Sequence, residues 1–319
     1  MPRRNGIIIH PEELDATWPE RLSDAKINVL GLHPVGGVNA HVSLEDAILR
    51  RHLPETEALF VRLNRCGIAV EYEAHAMGWL LPKTLFGIAP AFFRMNEEGL
   101  RIADKNLCAS NGEALEYVGK RAEVLARLLD TGSDRYFFWL DDVSSGSCHC
   151  PECAKLSPSD QQLLVVNAML RGIRRYNGAA KLSYLAYQDT IKVPERIEPA
   201  KGVFLEYAPF KRDHHKPMFD ADCAENAAEA ASVEGLLDFF GRRDSQVLEY
   251  WMDNSKFSGW KKPPKRFILD EAVMRRDVAD YRARGFELIT SFGCYLGSDY
   301  HALYGEPPVA AYGHILNGG

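Results

Sequence analysis

Short apolar runs alternate with stretches of helical periodicity along the whole chain. Eight runs read as strands: 6–10, 27–33, 68–75, 136–142, 182–187, 203–207, 247–251 and 287–292. The clearest helix is 112–129, where Leu115, Val118, Ala122, Leu125 and Leu129 fall on one face. Ser110, with Glu113 three residues on, has the pattern of a capping box at its start. A second helix follows Ser159 and turns Leu163, Val166, Leu170 and Ile173 inward; others cover 55–66 and 266–284. Eight strand–helix repeats in a chain of 319 residues are what a (β/α)₈ barrel requires. The expected fold is therefore α/β, a single-domain (β/α)₈ TIM barrel over 1–319, with a cysteine-rich zinc loop after strand 4. A doubly wound sheet is the alternative, but no glycine-rich phosphate loop follows the first strand. The connection 79–107 is long enough to predict function or structure of its own.

Composition narrows the class. The chain is 46% hydrophobic with a formal charge of −6, and acids and bases are mixed throughout. No basic stripe points to nucleic acid. The basic N-terminus is followed by only Ile7-Ile8-Ile9 before polar residues intervene, which does not read as a signal peptide. No apolar run approaches the roughly 18 residues of a membrane helix. The expectation is a soluble cytoplasmic protein without membrane or nucleic-acid partners. The seven cysteines are an odd number, and in a reducing compartment they remain thiols.

The active residues of a barrel come from the C-terminal ends of its strands. Here those ends carry His10, His33, Glu73 with His75, Asp141 with Asp142, Tyr187, Glu206 with Tyr207, Glu249 with Tyr250 and Trp251, and Tyr295; Trp79 lies just beyond the third strand. Carboxylates among aromatic and imidazole rings suit a carbohydrate substrate, since rings stack on sugar C–H faces and the polar groups bind hydroxyls. Each residue alone reads as ordinary structure; the collection is what points to sugar.

Glycoside cleavage needs an acid at the leaving oxygen and a second group at the anomeric carbon. Asp141 and Asp142 are consecutive, so a strand sends them in different directions. Two arrangements follow. One aspartate is the acid and Glu249 the nucleophile or base; or one aspartate orients a substrate acetamide, which supplies the nucleophile, while the other donates the proton. A bland role, capping the following loop, fits Asp141 better than Asp142. Asp142 is the preferred acid. His10, His75, Trp79, Tyr187, Glu206, Tyr207 and Trp251 are expected to line the sugar site.

Cys148, Cys150 and Cys153 form a Cys-x-Cys-x-x-Cys run just after the aspartates. Structural zinc takes four ligands in a tetrahedron. His149 would strain the chelate, whereas Cys108 lies in the neighbouring loop after strand three and is the expected fourth ligand. Arg212, Asp213, His214, His215 and Cys223 form another polar cluster, read as sugar contacts or a solvated loop rather than a second metal site. Cys66 reads as a helix-packing thiol and Cys294 as a loop thiol.

Cys108 with Cys148, Cys150 and Cys153 resembles the four-cysteine zinc site of bacterial zinc-containing β-galactosidases. That resemblance implies a (β/α)₈ fold, an acid at the end of strand four and a nucleophile ending strand seven, which places Asp142 or Asp141 and Glu249 in those roles. The chain has Asp-Asp where those enzymes have Asn-Glu, a pair that instead resembles substrate-assisted N-acetylglucosaminidases. Over residues 68–300 the chain also resembles a bacterial family of uncharacterised glycoside-hydrolase-like domains. The likeness rests on Glu73-Ala74-His75-Ala76-Met77-Gly78-Trp79, Leu107-Cys108-x-Ser110-Asn111, the Cys148–Cys153 loop, Leu185-Ala186-Tyr187, Cys223-x-x-Asn226 and Tyr250-Trp251-Met252-Asp253. The resulting expectation is a glycoside hydrolase with a structural zinc. The rivals are a non-catalytic carbohydrate-binding barrel and a metal-dependent hydrolase or isomerase built on His10, His33, His75 and His214.

Overall fold

The computed structural model describes residues 3–319. All eight expected strands form: β1 (Arg4–Ile9), β2 (Val29–Leu32), β3 (Ala69–His75), β4 (Arg135–Trp139), β5 (Lys181–Ala186), β6 (Val203–Tyr207), β7 (Gln246–Glu249) and β8 (Leu288–Phe292). They close into a barrel in chain order, and β1 pairs in parallel with both β2 and β8. Helices alternate with the strands, because parallel neighbours need a crossover between them. No helix among the described residues is long and apolar enough to cross a membrane.

By internal contacts the chain divides into two compact units. One comprises the chain up to His33, His52–Glu71 and Glu206–Gly319; the other comprises Pro34–Arg51 and Tyr72–Leu205. In the first, Arg4 on β1 reaches Glu71 on β3 at 2.5 Å. These strands are not neighbours, so the ion pair runs through the barrel interior. Gln246 donates to Glu206 and Thr290, giving β6, β7 and β8 a buried polar layer. In the second unit, Phe137 on β4 meets Phe204 on β6 with ring centroids 5.5 Å apart, and Trp139 donates to Ser183. This fixes alternation along each strand: Gln246 faces inward, so Glu249, three residues on, faces outward.

Two helices of the second unit, Gly112–Leu128 and Pro158–Ile173, approach to backbone contact. A Cβ on Gly172 would sit 1.8 Å from the Gly119 carbonyl oxygen, and one on Gly119 would sit 2.8 Å from that of Ala168. Only glycine permits this crossing.

The helix starts differ from the expected ones. Asn111, rather than Ser110, caps the first helix by accepting from the Ala114 N–H at 2.9 Å. Ser157 and Asp160 cap the second reciprocally, so it begins at Pro158, before Ser159. Asp270 accepts from Val273 N–H, so the helix expected from 266 begins at Glu271. The long connection 79–107 carries its own short turns, Lys83–Gly87 and Pro90–Phe92, and an Arg94–Asp104 bidentate pair at 2.9 and 2.6 Å.

Candidate functional site

The second unit brings three of the expected residues together at the C-terminal ends of β3, β4 and β5. His75 ends β3, and its Nδ1 lies 2.6 Å from the carbonyl of Leu140. A carbonyl only accepts, so Nδ1 is the donor in this contact. Asp142 lies two residues further on, and Tyr187, just past β5, donates its hydroxyl to Asp142 Oδ1 at 3.0 Å. Gly36 closes the other side: a Cβ there would be 3.2 Å from both Asp142 Oδ2 and His75 Cδ2. Gly36 was not foreseen; the only trace of it in the sequence is the Gly36-Gly37 pair soon after the second strand.

Asp141 does different work. Its Oδ2 accepts from the Asn106 N–H at 2.7 Å, and its own N–H donates back to Asn106 Oδ1 at 2.9 Å. This reciprocal clamp ties the end of β4 to the loop before Cys108. Burial raises its pKa, with the Asn106 N–H pulling the other way. His75, Asp141 and Tyr187 also border a small cavity of about 50 Å³. Trp79 stands under the Arg121 guanidinium, 3.7 Å from its ring centroid, so that ring face is taken.

Beside this group, Cys108, Cys148, Cys150 and Cys153 converge, all buried and none in a disulfide. Their sulfurs lie within 4.8 Å of one another, with Cys108 3.6 Å from Cys150 and 4.0 Å from Cys153. A tetrahedron with metal–sulfur bonds of about 2.3 Å has edges of about 3.8 Å, so the cage fits a metal ion. The Ser110 hydroxyl, expected as a helix cap, instead lies 3.2–3.5 Å from three of the sulfurs. Gln161, from the helix Pro158–Ile173, straps the loop: it accepts from Cys148 N–H and donates to the carbonyls of Cys148 and Cys153. Arg94 donates to Ser147 and Arg101 approaches Cys148 Sγ at 3.8 Å, placing positive charge beside the thiols.

The first unit corrects several expectations. Glu249 does not line a cleft. It is fully buried, paired with Arg212 at 2.6 Å and bonded by the Tyr281 hydroxyl at 2.6 Å. Arg212 also holds Asp277 at 2.9 Å, and Asp277 accepts from Trp251 Nε1. Burial pushes the Glu249 pKa up against the pull of Arg212. Burial disfavours the Arg212 charge, but Glu249, Tyr281 and Asp277 outweigh it and hold the guanidinium protonated. Tyr207 is sealed in the same layer, donating to the Glu229 carbonyl. Glu206 lies inside the barrel with Gln246. Arg212 is thus a buried ion-pair centre, not part of a solvated loop, and Cys294 is a fully buried thiol. Cys66 is exposed.

Trp251 also borders a cavity of about 530 Å³, with His214, His215, Phe257 and Arg266. The His214 Nε2 accepts from Lys256. Burial, with the Lys256 and Arg212 charges, pushes the His214 pKa down from 6.5 to about 3. The unfolded imidazole therefore takes up a proton below about 6.5 while the folded one stays neutral, and stability falls as the pH drops through that window. His214→Asn is expected to flatten this acid-side loss, read as urea midpoints across the range; an unchanged slope would contradict it.

A family model described as a domain of unknown function (DUF4838) matches residues 54–233, more than half of the 319-residue chain. The chain belongs to this family. None of the curated proteins matches it. Solved structures similar to this DUF4838 chain include glycoside hydrolases. A β-galactosidase from Rahnella sp. R3 aligns over 99% of the chain with a TM-score of 0.55 and 14% identity. An endo-β-1,4-glucanase from Bacillus licheniformis aligns over 99% with a TM-score of 0.58 and 13% identity. A catalytic module of the pneumococcal exo-β-D-N-acetylglucosaminidase aligns over 98% of this chain and 84% of its own, with a TM-score of 0.53 and 10% identity. The chain spans 56% of the galactosidase and 60% of the glucanase. At these identities the likeness shows the shared barrel.

Proposed function

We propose that the chain hydrolyses a glycosidic bond, with Asp142 as the proton donor to the leaving oxygen and His75 and Tyr187 holding the sugar beside it. The observation that carries this is the division of labour among the strand-end carboxylates. Asp141 is spent on Asn106 and Glu249 on Arg212 and Tyr281, whereas Asp142 is half-buried with its Oδ1 steadied by Tyr187. Glu249, buried with both oxygens engaged by Arg212, Tyr281 and the Tyr250 N–H, is no nucleophile. The arrangement that remains is one in which a substrate 2-acetamido group attacks its own anomeric carbon. A panel of aryl glycosides tests this: N-acetylglucosaminides or N-acetylgalactosaminides are turned over, and galactosides and glucosides lacking the acetamide are not. Equal turnover of both classes would refute substrate assistance.

The four-thiol cage is proposed to hold a structural zinc. Four ligands leave no position for substrate, so the ion's part is to fold the loop, and Ser110 and the flanking arginines temper the charge of four thiolates. Protein purified without chelator is expected to carry zinc, and Cys150→Ser to lose one equivalent by elemental analysis. An unchanged metal content in that variant would exclude the cage as its holder.

A further inference from the structure

We infer that a second metal site, of the open three-ligand kind, is built from His10, Glu13 and Cys294 where β1 and β8 end. A ring nitrogen, a carboxylate oxygen and a thiol sulfur from these residues lie within 4.8 Å of one another, and all three residues are buried. The chain brings them together by two short devices. The turn Pro11–Glu13 follows β1 and folds Glu13 back, so that its Oε2 accepts from the His10 N–H at 3.1 Å. Cys294 follows β8, whose partner in the barrel is β1.

Three features set this cluster apart from a satisfied core. First, His10 Nδ1 lies 2.8 Å from the carbonyl of His33. That carbonyl forces the proton onto Nδ1 and leaves the Nε2 lone pair free, the orientation that metal-binding histidines take from a backbone carbonyl behind them. Second, Glu13 is only 6% exposed, and its Oε1 has no hydrogen-bond donor. An unsatisfied buried carboxylate oxygen is costly, and a cation is what removes the cost. Third, Cys294 is 1% exposed, and its sulfur meets only backbone, the His10 N–H and, at 3.8 Å, the Ile8 carbonyl.

Imidazole, carboxylate and thiolate together suit a borderline ion such as Zn²⁺ or Co²⁺ rather than Mg²⁺ or Ca²⁺, which take oxygen. Three protein ligands leave a fourth position for water or a substrate oxygen, unlike the closed four-thiol cage. The rings of His33 and Tyr295 flank it, 6.0 and 5.9 Å from the His10 ring. Binding releases the thiol proton to solvent.

The test is metal uptake, which needs no turnover and is independent of the proposed glycosidase activity. Zinc-loaded protein is titrated with Co²⁺ and read by thiolate-to-cobalt charge-transfer absorption, with zinc followed by elemental analysis. Wild type is expected to hold one equivalent of metal beyond that lost in Cys150→Ser. Cys294→Ser loses the cobalt band at this site, and Glu13→Gln keeps the thiolate but weakens Co²⁺ binding by an order of magnitude or more. Should Cys294→Ser fail to fold, Glu13→Gln and the wild-type stoichiometry decide. No metal beyond the four-thiol equivalent in folded wild type, or unaltered cobalt binding in Glu13→Gln, overturns the site.

Discussion

Asp142→Asn is expected to abolish most turnover while leaving the barrel folded. Asparagine matches the shape of aspartate and can still accept the Tyr187 hydroxyl through its amide oxygen, so the Asp142–Tyr187 contact at 3.0 Å survives. It cannot deliver a proton to a departing oxygen. General acid catalysis contributes typically about 10²–10⁴-fold, so kcat on an acetamido glycoside should fall by that range with little change in KM. A substrate with a good leaving group, which needs less protonation, should lose much less. This dependence on the leaving group separates a lost acid from a merely disturbed fold. Asp141→Asn is the control: it keeps the acceptor for the Asn106 N–H, and kcat should change far less. If Asp142→Asn keeps full activity, Asp142 has no part in the reaction.

Arg212→Ala is expected to be the most destabilising single change in the first unit. Arg212, Glu249 and Asp277 have no exposed side-chain surface, and the guanidinium spans both carboxylates at 2.6 and 2.9 Å. Removing it strands two buried carboxylates, and breaking a buried pair in this way costs about 3–5 kcal/mol. The measurement is the free energy of unfolding in urea at neutral pH. Both carboxylates already have pKa values raised by burial, so without Arg212 they take up protons as the pH is lowered. The deficit should therefore shrink in mild acid. Glu249→Gln removes a charge, yet its folded fraction should keep its turnover, because the residue faces the helix Glu271–Ala283 and not the substrate. A kcat loss in Glu249→Gln matching that of Asp142→Asn would restore Glu249 to the chemistry.

Most of the barrel is legible in the apolar runs, because eight strands and their crossovers leave a period that few other folds share. The helix starts were less so: Ser110, Asn111 and Ser157 all have cap chemistry, and the thiols claim the Ser110 hydroxyl. The cysteine cage could be read because three ligands are local and the loop carrying Cys108 is a topological neighbour. Glu249 was misplaced for a simple reason. A residue at a strand end faces the cleft or the helices according to register, and register is set by partners such as Glu206 and Thr290 on other strands. Tyr207 was misread in the same way. Gly36 left almost no signal, since its role is the absence of a side chain beside Asp142.

The glycine crossing of Gly119 and Gly172 has a consequence for the thiol cage. One of the crossing helices starts just after Cys108 and Ser110, and the other sends Gln161 to strap Cys148 and Cys153. With the two backbones in contact, the distance between the cage's two halves has little freedom to adjust. A cage of set bite discriminates by ionic radius: an ion with longer bonds to sulfur, such as Cd²⁺, must push two locked helices apart, and a smaller one leaves its thiols out of reach. A bulkier residue at position 119 or 172 would then alter which metal the protein retains, though neither position touches a ligand.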